Sequence, residues 1–383
     1  MRPSERRPLR VVFAGGGTGG HLFPGVATAE ELSHRAPGSR ILLAATQRDA
    51  VSRHGLACDL ETVPVQSPRT PKSKALYPFF AARLAYAVAQ SSRVLQEHRP
   101  HVVVGLGGYG SAAPVIAAWR NGIPVLLLEQ NAVPGKATRF LSRFGATVAA
   151  SYPGLAAQGV RGDVVETGNP IRRRVLDARA AHDELGISPR LPVLAVVGGS
   201  LGASGLNRRV VDALPDLVAA TGGRDSDGRA RFQVIHAAGT REQASFLHDA
   251  YAQAGVRAAV QPFFEDMGAV WGTCDAVLCR SGGTTVAELS ALGLPAVFVP
   301  YPYAADDHQA ANARPLADGG AATLIREEDL TAQRVAAAVG PLLADAAHRS
   351  DRAERTRRLG RPDAAARVVD LILDLAARRA PSR

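Results

Sequence analysis

The sequence predicts an α/β protein built from two doubly wound, parallel-sheet domains. Three observations carry that prediction. Short apolar runs alternate with amphipathic stretches along the whole 383 residues, which is the pattern of βα repeats. The length exceeds what one ordinary core organises, so two domains are expected. Glycine-rich turns follow apolar runs about half a chain apart: Gly15-Gly16-Gly17-Thr18-Gly19-Gly20-His21 after residues 9–14, and Gly198-Gly199-Ser200-Leu201-Gly202-Ala203 after 191–197. A third turn, Arg280-Ser281-Gly282-Gly283-Thr284-Thr285, follows residues 276–279. Each reads as strand, turn, helix, where backbone N–H groups and a helix dipole meet a phosphate.

In the first half, strands are expected at 9–14, 41–45, 102–105, 125–128, 147–150 and 164–167. Helices are expected at 24–35, 77–98, 111–121 and 135–144, with Pro24 suited to a first turn. Residues 66–78, with three prolines and basic side chains, read as a long loop. A break comes at Gly168-Asn169-Pro170, followed by Ile171-Arg172-Arg173-Arg174 and a charged, helix-like stretch to Gly186. The second half repeats the βα logic with strands at 191–197, 232–236, 258–261, 276–279, 296–299 and 321–324. Residues 222–231 read as an exposed loop, and 363–379 as a helix ending in Arg. The expected domains are 1–168, a linker at 169–190, 191–360, and a C-terminal helix in 361–383.

Composition narrows the function classes. Apolar residues make up 46% and charged residues 21%, as in globular proteins. The net charge is +10, and Lys72, Lys74 and Lys136 are the only lysines, so arginine supplies nearly all of it. A basic balance suits an acidic substrate or an anionic membrane surface. Aromatics are only 5%, with no basic run interleaved with stacking rings, which argues against nucleic acid. Cys58, Cys274 and Cys279 form no paired framework, as expected of a reducing compartment. The apolar run 11–14 is too short for a signal-peptide core, and no run reaches the roughly 18–20 residues of a membrane span. A cytoplasmic protein with peripheral membrane contact is expected. Tyr77, Phe79, Phe80, Leu84 and Trp119, with Arg69, Lys72, Lys74 and Arg83 nearby, form a candidate docking patch.

Gly15-x-Gly17-x-x-Gly20 fits a dinucleotide fingerprint literally, yet the second strand ends in Ala44-Ala45-Thr46-Gln47 without the carboxylate that holds an NAD ribose. An NAD-binding dehydrogenase stays open as an alternative, as does a non-catalytic membrane-docking module. His21 falls at the start of the first helix, where the dipole favours the neutral imidazole that a general base requires. Gly107-Gly108-Tyr109-Gly110-Ser111 and Glu129-Gln130-Asn131 follow strands at the same sheet edge. In Arg280–Glu288, glycine and threonine donors precede a carboxylate, Glu288, that can accept two ribose hydroxyls. Asp306 and Asp307, before His308-Gln309-x-x-Asn312, read as helix N-cap residues rather than metal ligands.

Taken in order, GGTGGH (16–21), FPG (23–25), GGYGS (107–111), EQN (129–131), GNPIR (168–172), GGS-x-GA (198–203), RSGGTTVAE (280–288) and HQxxN (308–312) resemble glycosyltransferase family 28, over about residues 10–343. The resemblance implies the GT-B fold, two Rossmann-like domains facing a central cleft, and no metal or other cofactor. It implies an inverting transferase of peptidoglycan synthesis that moves GlcNAc from UDP-GlcNAc to the C4 hydroxyl of a lipid-linked muramoyl pentapeptide. Such an enzyme acts peripherally at the cytoplasmic face of the bacterial membrane. A relative that glycosylates another lipid phosphate is the alternative. The implied base is His21. The implied donor contacts are Thr18, Gly19, Gly20, Asn131, Arg172, Ser200, the Phe264 backbone at uracil, Gly283, Thr284, Thr285, Val286, Ala287, Glu288 at the ribose, and Gln309. The implied acceptor contacts are Gly107, Gly108, Tyr109, Gly110 and Ser111. Two departures stand out: Leu201 replaces a usual Gln, and Gly283-Thr284 replaces an Ala-containing version.

Overall fold

The computed structural model describes residues 8–17, 19–46, 60–68, 71, 73–199 and 202–379. The chain divides into two compact units. One comprises residues 1–173 and 361–383, the other 174–360.

The first unit is a seven-stranded parallel sheet in the order β3-β2-β1-β4-β5-β6-β7. The strands are β1 (Arg10–Ala14), β2 (Arg40–Ala45), β3 (Glu61–Pro64), β4 (Val102–Gly105), β5 (Val125–Glu129), β6 (Thr147–Ala150) and β7 (Val164–Glu166). The central strands β1, β4 and β5 are almost wholly buried runs of Val, Leu and Phe, as a sheet covered on both faces requires. Strand β3 was not expected. It is an edge strand, half-exposed and ending in Pro64, so it carries neither a hydrophobic run nor clean alternation.

The helix after β1 is Gly19–Arg35, longer than expected. Pro24 therefore lies inside it rather than in its first turn, forgoing one N–H near the helix start. Residues 66–78 are not all loop: a 3-10 turn at Lys74–Leu76 leads into the helix Tyr77–His98. The C-terminal helix Ala364–Arg379 belongs to this first unit. Its Val368, Ile372 and Ala376, one face at i, i+4 and i+8, join the core under β1, β4 and β5. Arg35 fastens the rim, donating to the Asp370 carboxylate at 2.5 Å and the Ala366 carbonyl at 2.8 Å.

The second unit is a six-stranded parallel sheet in the order β10-β9-β8-β11-β12-β13. Its strands are β8 (Val193–Val197), β9 (Gln233–Ala237), β10 (Arg257–Gln261), β11 (Ala276–Cys279), β12 (Ala296–Phe298) and β13 (Ala322–Leu324). The charged stretch before it is not the expected helix. Only Arg173–Leu176 is helical. Beyond that turn, Thr273 Oγ1 accepts the Ala181 N–H at 2.9 Å. Gln233, buried, accepts the Ser188 N–H and donates to the Ser188 carbonyl, both at 2.8 Å. Tertiary hydrogen bonds thus take the backbone groups a helix would have used.

A buried polar chain lies beside β9. The Tyr251 hydroxyl donates to His236 Nδ1 at 2.8 Å, and His236 Nε2 donates to Asn207 Oδ1 at 3.0 Å. Asn207 Nδ2 donates to the Ala238 carbonyl and Gln243 Oε1. These donors and acceptors define one neutral tautomer of His236. Cys274 and Cys279 are buried free thiols.

Burial pushes the His236 pKa down to about 3 from 6.5. The unfolded chain therefore binds the extra proton first as pH falls. Stability from this group is complete above about pH 6.5 and declines by about 1.4 kcal/mol per pH unit toward pH 3. Urea unfolding from pH 7 to 4 should show a steeper loss of stability in the wild type than in a His236→Gln variant that folds, the difference between the two reporting this group. In the first unit, Ile372→Ala should cost about 2–4 kcal/mol in the same assay, because the methyl groups removed are fully enclosed.

Candidate functional site

In a doubly wound sheet, ligands bind outside the carboxyl ends of the strands where the order reverses. The first unit reverses between β1 and β4, the second between β8 and β11. The glycine turns follow these four strands: residues 15–17 after β1, 106–111 after β4, 198–199 and 202–203 after β8, and 280–282 after β11.

In the first unit the two turns pack backbone on backbone. Gly15 has φ +102°, and a Cβ there would lie 3.0 Å from the Gly107 carbonyl oxygen and 3.1 Å from the Ser111 nitrogen. Only glycine permits that approach. His21 is the third residue of its helix. Its Nδ1 lies 2.8 Å from Gln130 Oε1. The ring sits against the β4 turn: a Cβ on Gly107 would come within 3.2 Å of His21 Nδ1. Ser111, buried, donates from Oγ to the Gly108 carbonyl at 2.9 Å, while the Tyr109 ring is exposed. Gly110 completes the turn, half-buried, and Gly19 and Gly20 open the His21 helix. Thr18 lies outside the described residues.

The EQN segment is held by its own acid. Glu129 Oε1 accepts the Asn131 N–H at 3.1 Å and Asn131 Nδ2 at 3.3 Å. Glu129 Oε2 accepts the Gly135 N–H at 3.0 Å and Thr138 Oγ1 at 2.6 Å. Arg172 is buried with its guanidinium 4.0 Å from the Phe23 ring centroid, a cation–π contact two residues along from His21. The first unit thus brings His21, the 107–111 turn and Gln130 into contact, with Asn131 on the next residue and Arg172 over the same helix.

In the second unit the helix after β11 is Gly283–Leu292, capped by Gly282 in extended backbone at φ −63°, ψ 144°. That conformation suits any residue, and a Cβ on Gly282 would meet nothing within 4 Å. The protein itself does not require glycine here. Space is left beside the first N–H groups of the helix, which Thr284 and Thr285 flank half-buried. Val286 is core and Ala287 half-buried. Glu288 is 4% exposed, and its Oε2 accepts the Trp271 indole N–H at 2.9 Å. This is a buried, oriented carboxylate rather than a surface acid. Phe264 is buried between β10 and the helix Met267–Thr273, which Asp266 caps.

Further buried polar bonds hold this edge. Arg280 donates to the Val299 and Pro300 carbonyls at 3.1 and 3.0 Å and pairs with Glu327 at 2.8 Å. Asn312 Nδ2 donates to the Ser281 carbonyl at 3.1 Å. Gln309 Oε1 accepts the Tyr301 N–H at 2.9 Å, which leaves its amide NH2 to donate. Asp306 and Asp307 are not side-chain caps. Both adopt left-handed backbone at φ +52°, and the Asp307 carboxylate is drawn away into a bidentate pair with Arg326 at 2.8 and 2.7 Å. Ser200 and Leu201 lie outside the described residues. Among the described residues no three His, Cys, Asp or Glu side chains gather as a metal would need.

The docking patch resolves into two clusters. Tyr77 and Phe79 are exposed on the helix Tyr77–His98, with the Arg83 guanidinium 5.7 Å from the Phe79 centroid, while Leu84 turns toward the core. Leu76 and Tyr86 extend this exposed surface. Trp119 stands apart, tilted on Phe144 at 5.0 Å, with Phe140 edge-on to Phe144 at 5.3 Å. Asn121 donates to Ser92, so this second cluster lies roughly 20 Å further along the helix than Phe79. Arg69 and Lys72 lie outside the described residues. Among the described residues no helix is long and apolar enough to cross a membrane.

Sequence reasoning named Gln130 without a role and missed Trp271. Neither carries a local signal, because each acts through a side chain brought from another strand or helix.

Two family descriptions match the chain. Residues 11–150 match the glycosyltransferase family 28 N-terminal domain, and residues 193–368 the family 28 C-terminal domain. A relative from Anaeromyxobacter dehalogenans is 39% identical, over 97% of this chain and 94% of its own length. One from Alkalilimnicola ehrlichii is 40% identical, over 96% and 99%. Both carry the name UDP-N-acetylglucosamine--N-acetylmuramyl-(pentapeptide) pyrophosphoryl-undecaprenol N-acetylglucosamine transferase. The crystal structure of Acinetobacter baumannii MurG superposes with a TM-score of 0.73 at 30% identity, over 96% of this chain and all of that one. With its two Rossmann-like parallel-sheet units and this likeness along its length, the chain belongs to glycosyltransferase family 28, of GT-B fold.

Proposed function

We propose that this chain moves GlcNAc from UDP-GlcNAc to the C4 hydroxyl of a lipid-linked muramoyl pentapeptide, with inversion, in peptidoglycan synthesis. The names of its full-length relatives support the reaction. The observation that carries it to this chain's residues is that four of the family landmarks, GGTGGH, GGYGS, GGS-x-GA and RSGGTTVAE, come directly after the four switch-point strands of the two sheets.

On the second unit, the space at Gly282 admits the donor diphosphate to the N–H groups of Gly283, Thr284 and Thr285, continued by Val286 and Ala287, and Ser200 adds a further donor contact. Glu288, oriented by Trp271, takes the ribose hydroxyls. The Phe264 backbone faces uracil, and Gln309 donates from its amide. Asn131, Arg172 and the Thr18–Gly20 turn add donor contacts from the first unit's residues. The 107–111 turn meets the acceptor diphosphate.

Chemistry then needs two things. As the glycosidic C–O bond to UDP breaks, negative charge grows on the leaving diphosphate, where helix N–H groups and Arg172 stabilise it. The acceptor hydroxyl forms the new bond from the opposite face and gives its proton to His21. A well-placed base contributes roughly 10²–10⁴-fold. Tyr77, Phe79 and Arg83 dock the protein on anionic lipid at the cytoplasmic face of the membrane, where the acceptor lies.

UDP release from UDP-GlcNAc should require a short-chain lipid acceptor bearing the muramoyl pentapeptide. His21→Ala should lower kcat by roughly 10²–10⁴-fold with little change in KM for the donor. Equal turnover on a lipid phosphate lacking the muramoyl peptide would instead assign another acceptor. Gly282→Ala should leave the melting temperature unchanged, since its methyl group meets no protein atom. The same variant should weaken UDP-GlcNAc binding by calorimetry about tenfold or more, which is ~1.4 kcal/mol.

A further inference from the structure

We propose that Gln130 is a positioning residue that locks His21 in its Nδ1–H tautomer and so makes Nε2 the atom that receives the acceptor proton. The inference rests on the reading of His21 as the base and deepens it.

Atoms that cannot change role surround the Gln130 amide. Gln130 is 3% exposed and follows β5 at the switch-point edge. Its Nε2 donates to the Leu106 carbonyl at 3.1 Å and to the Leu128 carbonyl at 3.3 Å. Carbonyl oxygens only accept, so the amide nitrogen must face them. Flipping the amide would set three oxygens together in a buried place and forfeit both bonds. Oε1 therefore points to His21 Nδ1, at 2.8 Å, and it too can only accept. The hydrogen must sit on Nδ1, and the neutral ring keeps its lone pair on Nε2.

The surroundings hold the ring in that pose. Cβ atoms on Gly107 and Gly108 would lie 3.2 Å from Nδ1 and 3.8 Å from Cδ2, so the β4 turn covers the ring with backbone alone. Among the described residues no hydrogen bond reaches Nε2. A free neutral imidazole prefers its hydrogen on Nε2, the form that cannot accept a proton there. Gln130 reverses that preference, and its two carbonyl partners at the ends of β4 and β5 tie the reversal to the sheet.

The test reads the tautomer directly. In protein labelled with 15N-histidine, two-bond proton–nitrogen spectra of the resting enzyme report which nitrogen of His21 carries the hydrogen, His21→Ala supplying the assignment. Wild type should show Nδ1–H. Gln130→Met, which keeps the length but loses the acceptor, should gain the Nε2–H form. Its kcat should fall roughly 10- to 100-fold while KM for UDP-GlcNAc holds. Gln130→Glu keeps an acceptor and should retain Nδ1–H. An Nε2–H signal in the wild type, or an unchanged tautomer in a folded Gln130→Met, overturns the proposal. If Gln130→Met does not fold, the wild-type and Gln130→Glu spectra decide. The spectra need no substrate. Full activity in His21→Ala would remove the base assignment while leaving the tautomer result legible by itself.

Discussion

The glycine-turn edges of this protein depend on the reversal of strand order within each parallel sheet. Between β1 and β4, and between β8 and β11, the flanking connections depart to opposite faces. The carboxyl ends of those strands are left uncovered, with helix N-termini beside them. Glycine turns at these points let backbone come close to backbone, as Gly15 does to Gly107, or leave room for something that is not protein, as Gly282 does. Two sheets of this kind give two such edges, each with its own complement of side chains.

Buried polar chains keep those edges in shape. In the first unit Glu129 and Gln130, adjacent in sequence, do different work. Glu129 folds the loop that carries Asn131, and Gln130 ties two strand ends to His21. In the second unit Tyr251, His236 and Asn207 join β9 to the helix Ser204–Asp212. Arg280 and Asn312 bind the β11 turn to its neighbours. Such groups are costly to bury alone and rigid once satisfied.

Fold alone does not name a reaction. Family membership does more, because it extends along nearly the whole chain and displaces the dehydrogenase reading of the first glycine turn. That turn carries glycines for close approach, as a dinucleotide site does, but it delivers His21 where such a site would seat a pyrophosphate. On the first unit, the basic and aromatic surface of the helix Tyr77–His98 lies apart from the Trp119 cluster.

Much was legible in the sequence because its signals are local. The apolar runs of β4, β6 and β11 and the helix Tyr77–His98 fall at the expected residues. The glycine turns announce the switch-point edges because tight backbone approach needs glycine whatever surrounds it. Tertiary structure decided the rest. Strand β3 forms because β2 offers it an edge, not because its residues ask for one. The stretch after Leu176 gives up helix for bonds to Thr273 and Gln233. The C-terminal helix joins the first unit because Val368 and Ile372 find a core only there. The tautomer of His21 follows from an amide 109 residues away held by two carbonyls. A sequence states which groups can donate and accept, but only the folded chain brings together the partners that fix which of them do.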